Sequence, residues 1–332
     1  MKNNFITFKK TVLIILVGLF VLSGCKPLNE TVEIEGLRIS QISDYPVFEI
    51  DYLSDYRQAP SALLEPNTEM FACSLFAAAN IKGGYMMGRN FDWECNPIVI
   101  LHTAPSNGYK SISMVNLGFI GIGAKQAENL ISKPNLFRSK LLQLPFVPVD
   151  GMNEKGVAVG MAMVPEGEDN GHADKPVMGS LGIMREILDY AGDVEEALAI
   201  MDSYRLDFGG GPAVHYLISD ASGDSAVVEY GSGEMRVIRK TSEWQGITNF
   251  LLESSGVQPE LECTRYQKIS EKFTANQGSI SLKDGIQLLA DVSQGDPAVE
   301  GTQWSALYDL ANLELNLSIG KEYSHPMSIK ID

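Results

Sequence analysis

A cysteine, an arginine and an aspartate fall within one short stretch whose pattern predicts a β-hairpin. Cys73 opens an apolar run that ends at Asn80, a Lys-Gly-Gly turn follows, and a second run ends in Gly88-Arg-Asn-Phe-Asp92. Pairing these runs across the turn returns Arg89 and Asp92 to the side of Cys73. A thiol beside a guanidinium and a carboxylate is a candidate activated nucleophile. The alternative is a buried structural cysteine, the commoner fate of a lone thiol.

Composition narrows the classes of function open to this chain. The 332 residues are 45% hydrophobic and 20% charged, as in a soluble globular protein with one large domain or two ordinary ones. The formal net charge of −16 gives a surface that repels phosphate backbones and argues against a nucleic-acid partner. The four cysteines and four histidines show none of the usual zinc spacings, so we predict no metal and no cofactor.

The first 24 residues have the pattern of an export signal. Three lysines and no acidic residue accompany an uncharged apolar run over 12–22, which is too short to span a bilayer comfortably. The tetrad Leu-Ser-Gly-Cys25 then resembles the lipobox of bacterial lipoproteins, in which Cys25 would be lipidated and become the mature N-terminus. An ordinary signal peptide or a signal anchor is the alternative. We therefore predict a lipoprotein that Cys25 anchors to a membrane of the bacterial cell envelope.

The remaining chain divides into a leading segment, 25–72, and a domain, 73–332. The leading segment begins as a polar tether and then mixes apolar with acidic residues, so we expect it to pack on the domain. In the domain, strand patterns alternate with two pairs of helices, which is typical of an α+β fold with helices covering packed antiparallel sheets. The expected helices are 181–191 with Ser180 as N-cap, 193–204, 264–273 and 281–292, whereas 150–156 is expected to be a turn and 121–149 has no assignment.

Several short motifs occur in a fixed order along the domain. Arg and Asp follow Cys73 by 16 and 19 residues, and later segments are Asp150-Gly-Met-Asn-Glu-Lys-Gly156, Gly246-Ile-Thr-Asn249, Thr264-Arg265 and Thr302-Gln-Trp-Ser305. In this order they resemble the linear amide C–N hydrolases of the choloylglycine hydrolase family. That family includes bile-salt hydrolases, penicillin V acylases and, more distantly, acid ceramidases. The resemblance extends from Cys73 to the C-terminus.

The resemblance implies an N-terminal-nucleophile fold, an αββα four-layer sandwich whose catalytic residue is the first of the mature catalytic chain. Since 72 residues precede Cys73, the Ala72–Cys73 bond would have to be cut, as in family members with a pro-segment. The implied activity is hydrolysis of a small-molecule N-acyl amide through a thioester on Cys73. Two alternatives stay open: acyl transfer from the same thioester to an amine, and a catalytically inactive, surface-anchored binding lipoprotein.

The resemblance also assigns roles to individual residues. Arg89 would stabilise the Cys73 thiolate, and Asp92 would orient the freed α-amino group, which titrates near neutral pH and can act as general base. Asn249 would donate to the oxyanion and Arg265 would add positive charge. Each has an ordinary structural alternative, such as a surface ion pair or a turn.

Two further expectations concern residues near these motifs. Bile-salt hydrolases carry a second asparagine where this chain has Met163, so Asn153 and Glu154 in the preceding motif are additional candidates. Cys95 and Cys263 flank residues that should converge on the site, and in an exported protein they could form a disulfide. The oligomeric state stays open, with a homo-oligomer as one option.

Overall fold

The computed structural model describes residues 30–43, 46–56, 72–165, 167–168, 171, 174–209, 211–253, 261 and 263–331. The expected signal segment and Cys25 lie outside the described residues, as does 57–71 just before the hairpin. In the parts of the chain that are described, no helix combines the length and the apolar character needed to cross a membrane.

The described chain is built mainly from strands. In chain order these are β1 (Thr31–Ile34), β2 (Leu37–Ser43), β3 (Val47–Tyr52), β4 (Ala72–Asn80), β5 (Tyr85–Glu94), β6 (Ile98–Thr103), β7 (Ser111–Asn116), β8 (Asp150–Asn153), β9 (Ala158–Met163), β10 (Val177–Gly179), β11 (Arg205–Asp207), β12 (Val214–Ser219), β13 (Ser225–Gly231), β14 (Glu234–Arg239), β15 (Trp244–Ile247), β16 (Ser279–Ile280), β17 (Gly295–Asp296), β18 (Glu300–Asp309), β19 (Glu314–Ile319) and β20 (Met327–Lys330).

Two large sheets account for most of these strands. Among the described residues, ten strands form one sheet in the order β1-β2-β3-β6-β7-β8-β9-β12-β13-β14. The second sheet runs β15-β4-β5-β18-β19-β20, with β16 beside β4 and β17 beside β18. Strands β4 and β15 of the second sheet lie against β9, β12 and β13 of the first, so the sheets stack face to face.

Helices cover the outer faces of both sheets. In chain order they are α1 (Ala124–Ala127), α2 (Arg138–Leu141), α3 (Gly182–Tyr190), α4 (Val194–Asp202), α5 (Thr264–Ala275) and α6 (Leu282–Asp291), with 3₁₀ turns at Leu117–Ile120, Pro134–Leu136 and Leu144–Phe146. Helices α3 and α4 contact β8, β9 and β12, while α5 and α6 contact β4, β5, β15 and β18. The result is the four-layer αββα arrangement expected from the sequence.

The sheets approach closely beneath the hairpin formed by β4 and β5. Gly160 on β9 permits this contact, because a Cβ atom there would lie 2.6 Å from Leu75 Cδ2 on β4. Leu75 is fully buried, as are Met87 on β5 and Val159 on β9. Burial of apolar side chains between the sheets is the main force that fixes β4 and β5 in place.

The leading segment contributes three strands to the first sheet. Strand β3 runs parallel to β6, with Val47 opposite Ile98 and Tyr52 opposite Thr103. Phe48 and Ile50 on β3 are fully buried. Strands β1, β2 and β3 are therefore part of the sandwich itself.

Three local expectations are wrong. Residues 150–156 begin as strand β8, paired with β7 and β9, and only then turn. Ser180 does not cap α3, whose N-cap is Leu181 and has no side-chain hydrogen bond. Helix α5 continues two residues beyond its expected end at Phe273. Asp193 and Ser281 are the N-caps of α4 and α6, since the side chain of each accepts a hydrogen bond from the backbone N–H three residues on.

Candidate active site

Strands β4 and β5 form the predicted hairpin and place Cys73 inside the sandwich. Gly83 and Gly84 at its turn have φ angles of +98° and +78°, which glycine adopts readily. Across the hairpin, Ala72 lies opposite Asp92 and Leu75 opposite Arg89. The Cys73 side chain is fully buried between the two sheets.

Arg89 reaches the thiol directly. Its Nη2 donates to Cys73 Sγ at 3.1 Å, while its Nη1 donates to Asp150 Oδ2 at 2.5 Å and to the Val149 carbonyl at 2.8 Å. The Arg89 and Asp150 side chains are both fully buried. A buried guanidinium needs such a counter-ion, so Asp150 on β8 is what allows Arg89 to lie here.

Asp150 is in turn held by two aromatic side chains of β18. Trp304 Nε1 donates to its Oδ2 at 3.1 Å, and the Tyr308 hydroxyl donates to its Oδ1. The Trp304 ring also stacks on Phe91, with 4.1 Å between ring centroids. Because every oxygen of this carboxylate has a donor, the Arg89 guanidinium is fixed in one orientation toward the sulfur.

Asn249 and Arg265 hold the main chain of the cysteine. The Cys73 N–H donates to Asn249 Oδ1 at 2.9 Å, and Arg265 Nη2 donates to the same oxygen at 2.8 Å. Arg265 Nη1 donates to the Cys73 carbonyl and, at 2.9 Å, to Ser74 Oγ. Asn249 Nδ2 donates to the Met163 carbonyl at 2.9 Å, which orients the amide with its oxygen toward Cys73.

Asp92 lies at the edge of this cluster. It accepts from Thr302 Oγ1 and from Gln294 Nε2, both at 2.6 Å, and lies 4.0 Å from Arg265 Nη1. In this uncleaved chain the Cys73 nitrogen bonds to Asn249 rather than to Asp92. Burial raises the pKa of Asp92, against the hydrogen bonds from Thr302 and Gln294, which lower it.

Burial is also the largest influence on the pKa of the Cys73 thiol. It raises the pKa of Cys73, although the adjacent Arg89 guanidinium pulls that pKa down. Burial lowers the pKa of Arg89, but the interactions of its guanidinium with Cys73 and Asp150 outweigh that effect and raise the pKa overall. This side chain therefore stays charged. The cluster thus holds a buried thiol, whose pKa burial keeps above its ordinary value, beside a permanent positive charge.

The two additional candidates lie away from the thiol. Asn153 Oδ1 accepts from the Lys155 and Val157 N–H groups, and its Nδ2 donates to two carbonyls at the end of α3, Leu188 and Ala191. All four hydrogen-bonding positions of this amide are thereby used in joining β8 to the helix. Glu154 accepts from the Lys110 N–H in the adjoining turn. The structure gives neither residue a contact with Cys73.

The expected disulfide is absent from this structure. Cys95 and Cys263 both have reduced thiols, and both are partly exposed. Burial raises the pKa of Cys263, but the Arg265 charge and main-chain N–H groups at the start of α5 lower it overall. Cys263 is the N-cap residue of that helix, two positions before Arg265.

A pocket of about 530 Å³ opens beside the cluster. Asp92, Asn249 and Arg265 line it, together with Ala72, Met163 and Gln294. A larger cleft of about 730 Å³, lined by Arg38, Asp51 and His102, includes none of the five predicted site residues. Among the described residues, no group of three or more His, Cys, Asp or Glu side chains is arranged to hold a metal ion.

The five principal candidates therefore meet in one place, although they come from four separate segments. Sequence reasoning missed three residues that support them: Asp150, Gln294 and Thr302. Two of these begin segments singled out as motifs, but only the stacking of the two sheets brings Asp150 to Arg89, and only the pairing of β18 with β5 places Thr302 opposite Asp92. Gln294 follows α6 and carries no local signal.

Comparison with known proteins gives one family and one fold. The sequence model described as "Linear amide C-N hydrolases, choloylglycine hydrolase family" matches residues 73–250. A conjugated bile acid hydrolase variant from Clostridium perfringens superposes with a TM-score of 0.59 at 15% identity, covering 78% of this chain and 92% of that one. A penicillin V acylase from Agrobacterium tumefaciens gives 0.55 at 18% identity, covering 77% and 84%. The expected N-terminal-nucleophile fold is confirmed.

Proposed function

The chain belongs to the choloylglycine hydrolase family of linear amide C–N hydrolases, and we propose that it cleaves its substrate with Cys73 as the nucleophile. It is a hydrolase of linear amide C–N bonds with the N-terminal-nucleophile fold. The observation that carries the proposal is the position of the Cys73 sulfur, 3.1 Å from Arg89 Nη2, on a residue whose own nitrogen lies 2.9 Å from Asn249 Oδ1.

The first step is activation of the chain at the Ala72–Cys73 bond. The Cys73 sulfur adds to the Ala72 carbonyl carbon, a C–S bond forms and the peptide C–N bond breaks. The proton that the thiol loses passes to the nitrogen, which becomes an α-amino group. Water then hydrolyses this thioester and leaves Ala72 with a carboxylate. The contacts of Arg265 with the Cys73 carbonyl and of Asn249 with the Cys73 nitrogen support the step, because they fix the main chain on which it acts.

The second step repeats this chemistry on a substrate. The new α-amino group takes the thiol proton, the sulfur attacks the amide carbonyl, the amine leaves with a proton, and water hydrolyses the acyl thioester. Arg89 stabilises the thiolate, and Asp92 orients the amino group. Asn249 donates to the oxyanion through the Nδ2 hydrogen that the Met163 carbonyl does not accept, and Arg265 adds positive charge. Loss of one oxyanion donor typically raises the barrier by roughly 2.7–4 kcal/mol.

The pocket beside Cys73 is the proposed binding site for the acyl half of the substrate. Met163 and Pro165 form part of its wall, which suits an apolar acyl group such as a straight chain, a phenoxyacetyl group or a steroid acid. Met163 contributes its carbonyl to Asn249, so this segment also supports the proposed oxyanion residue.

We also propose that the protein is exported and held on a membrane surface by lipid on Cys25. The lysines of the first ten residues, the apolar run over 12–22 and the Leu-Ser-Gly-Cys25 tetrad support this assignment. Metabolic labelling with a fatty-acid analogue, compared between the parent and Cys25→Ser, tests it. Equal labelling of the two proteins would contradict it.

Intact mass and activity test the central proposal together. The parent chain should yield a product that starts at Cys73 and releases amine from N-acyl amides, whereas Cys73→Ala should stay uncut and inactive. Cys263→Ala is the matched control, because it removes another thiol close to Arg265 and should cut and hydrolyse normally. Hydrolysis by Cys73→Ala at the parental rate would refute the proposal, as would a parent that stays uncut and inactive.

A further inference from the structure

A buried histidine–glutamate pair lies next to the site, and the proposed chemistry does not use it. His215 on β12 is fully buried, and Glu229 on the neighbouring strand β13 is 2% exposed. Their side chains meet with 3.1 Å between His215 Nδ1 and Glu229 Oε1. A buried polar pair of this kind is retained only where its hydrogen bonds are well satisfied.

The remaining bonds of the pair all go to one segment of main chain. His215 Nε2 lies 2.7 Å from the Thr248 carbonyl, and because a carbonyl only accepts, this nitrogen carries a proton. Glu229 Oε1 accepts from the Leu252 N–H at 2.7 Å, and its Oε2 accepts from the Glu253 N–H at 3.2 Å.

Those three main-chain groups lie on either side of Asn249. Strand β15 ends at Ile247, so residues 248–253 leave the sheet before their backbone groups can be satisfied by strand pairing. The His215–Glu229 pair provides bonding partners at both ends of this segment. Asn249 itself points the other way, toward Cys73 and Arg265.

We propose that His215 and Glu229 are positioning residues that fix Asn249 for catalysis; this inference rests on the proposed oxyanion role of Asn249. The pair touches neither Cys73 nor the pocket, so its effect is transmitted through the 248–253 main chain. Misplacement of a catalytic group by about 1 Å can cost on the order of 100-fold in rate, so a small shift of this segment is enough to matter.

The test compares substitutions that keep or remove single bonds of the pair. His215→Gln retains a side-chain N–H that can reach the Thr248 carbonyl, His215→Leu removes both bonds, and Glu229→Gln removes one of the two carboxylate acceptors. Ser225→Ala is the matched control, because Ser225 Oγ also bridges β13 to β15, through Gln245 Oε1 at 2.8 Å, without touching 248–253. For each variant we measure the rate of the 72–73 cut, the melting temperature, kcat per titrated Cys73 thiol, and KM.

We expect His215→Leu to lower kcat per titrated site about 10- to 100-fold with KM nearly unchanged. His215→Gln should recover part of that loss, and Ser225→Ala should stay within about twofold of the parent. If His215→Leu does not fold, kcat per titrated site in His215→Gln and Glu229→Gln, each compared with that in Ser225→Ala, decides whether the pair positions Asn249.

The inference is overturned if kcat per titrated site is unchanged in the folded pair variants, or if it falls equally in Ser225→Ala. Asn249→Ala separates this inference from its premise. If Asn249→Ala leaves kcat unchanged, the proposed oxyanion role itself is wrong. If Asn249→Ala is impaired while both pair variants are not, only the positioning role fails.

Discussion

Replacement of Asp150 by asparagine should destabilise the protein far more than loss of an ordinary ion pair. The change leaves the Arg89 guanidinium, which is fully buried, without its counter-ion at 2.5 Å. Removing one partner of a buried pair typically costs roughly 3–5 kcal/mol, because the other charge stays uncompensated. That is a large part of the roughly 5–15 kcal/mol by which most domains are stable.

The measurement is a double-mutant cycle in the Cys73→Ala background, which keeps the chain covalently intact. Asp150→Asn, Arg89→Met and the double variant are unfolded in urea and followed by tryptophan fluorescence, to which Trp304 beside Asp150 should contribute. Each single substitution should cost about 3–5 kcal/mol, and the double variant little more than either one. The coupling energy should therefore be about 3 kcal/mol.

An exposed pair of the same residue types is the control. Arg38 and Asp51 are 3.2 Å apart, but their side chains are 48% and 37% exposed, so the equivalent cycle should show little or no coupling. The reasoning is refuted if the Arg89 and Asp150 substitutions add within about 0.5 kcal/mol. It is equally refuted if Asp150→Asn costs no more than Asp51→Asn.

Three other outcomes are expected. In the uncut chain, identified by peptides that still span the 72–73 bond, iodoacetamide should alkylate Cys263 faster than Cys73 at neutral pH, because burial raises the pKa of Cys73 whereas the pKa of Cys263 is lowered and its thiol is partly exposed. The rate at which Cys73 is alkylated should still increase at pH values above the usual pKa of a cysteine thiol. Equal labelling of Cys73 and Cys263 at pH 7, measured by peptide mass spectrometry, would contradict this prediction. Gln294→Leu removes a 2.6 Å hydrogen bond to the Asp92 carboxylate, and a bond of this kind is worth about 1.5–3 kcal/mol. The substitution should therefore lower kcat/KM roughly tenfold or more. A kcat/KM equal to that of the parent would contradict a role for that bond. After the 72–73 cut, the fragment that contains residues 30–56 should co-elute with the catalytic chain in gel filtration and separate only in denaturant; separation in buffer would show that the strand pairing does not hold it.

Local patterns were enough to predict the β4–β5 hairpin. The apolar runs, the two glycines and the spacing of Arg89 and Asp92 from Cys73 all lie within one supersecondary unit, whose geometry depends little on the rest of the chain. The motif order then brought in Asn249 and Arg265 through the family resemblance. The structure places all five together.

The parts that were not predicted depend on contacts that are distant in sequence. Residues 150–153 carry turn-forming Asp, Gly and Asn, yet pairing with strands on both sides makes them a strand, because β structure is decided by neighbours more than by propensity. Residues 121–149 had no assignment because their helices and 3₁₀ turns are one turn or less, too short to show a period.

The parallel pairing of β3 with β6 has a consequence for aggregation. Between β3 and β6 the chain contributes β4 and β5 to the second sheet, and a cut at 72–73 would leave β3 attached by non-covalent contacts alone. A polypeptide made to begin at Cys73 would lack β3 and would present β6 as an open sheet edge. Ile98 and Ile100 on β6, which are fully buried in the intact chain, would lie at that edge. Such an edge recruits strands from other molecules. Strands β1 to β3 therefore cover the β6 edge and move the open edge of the sheet to β1, which is only four residues long and carries the charged Glu33. Short, charged edge strands recruit other chains less readily.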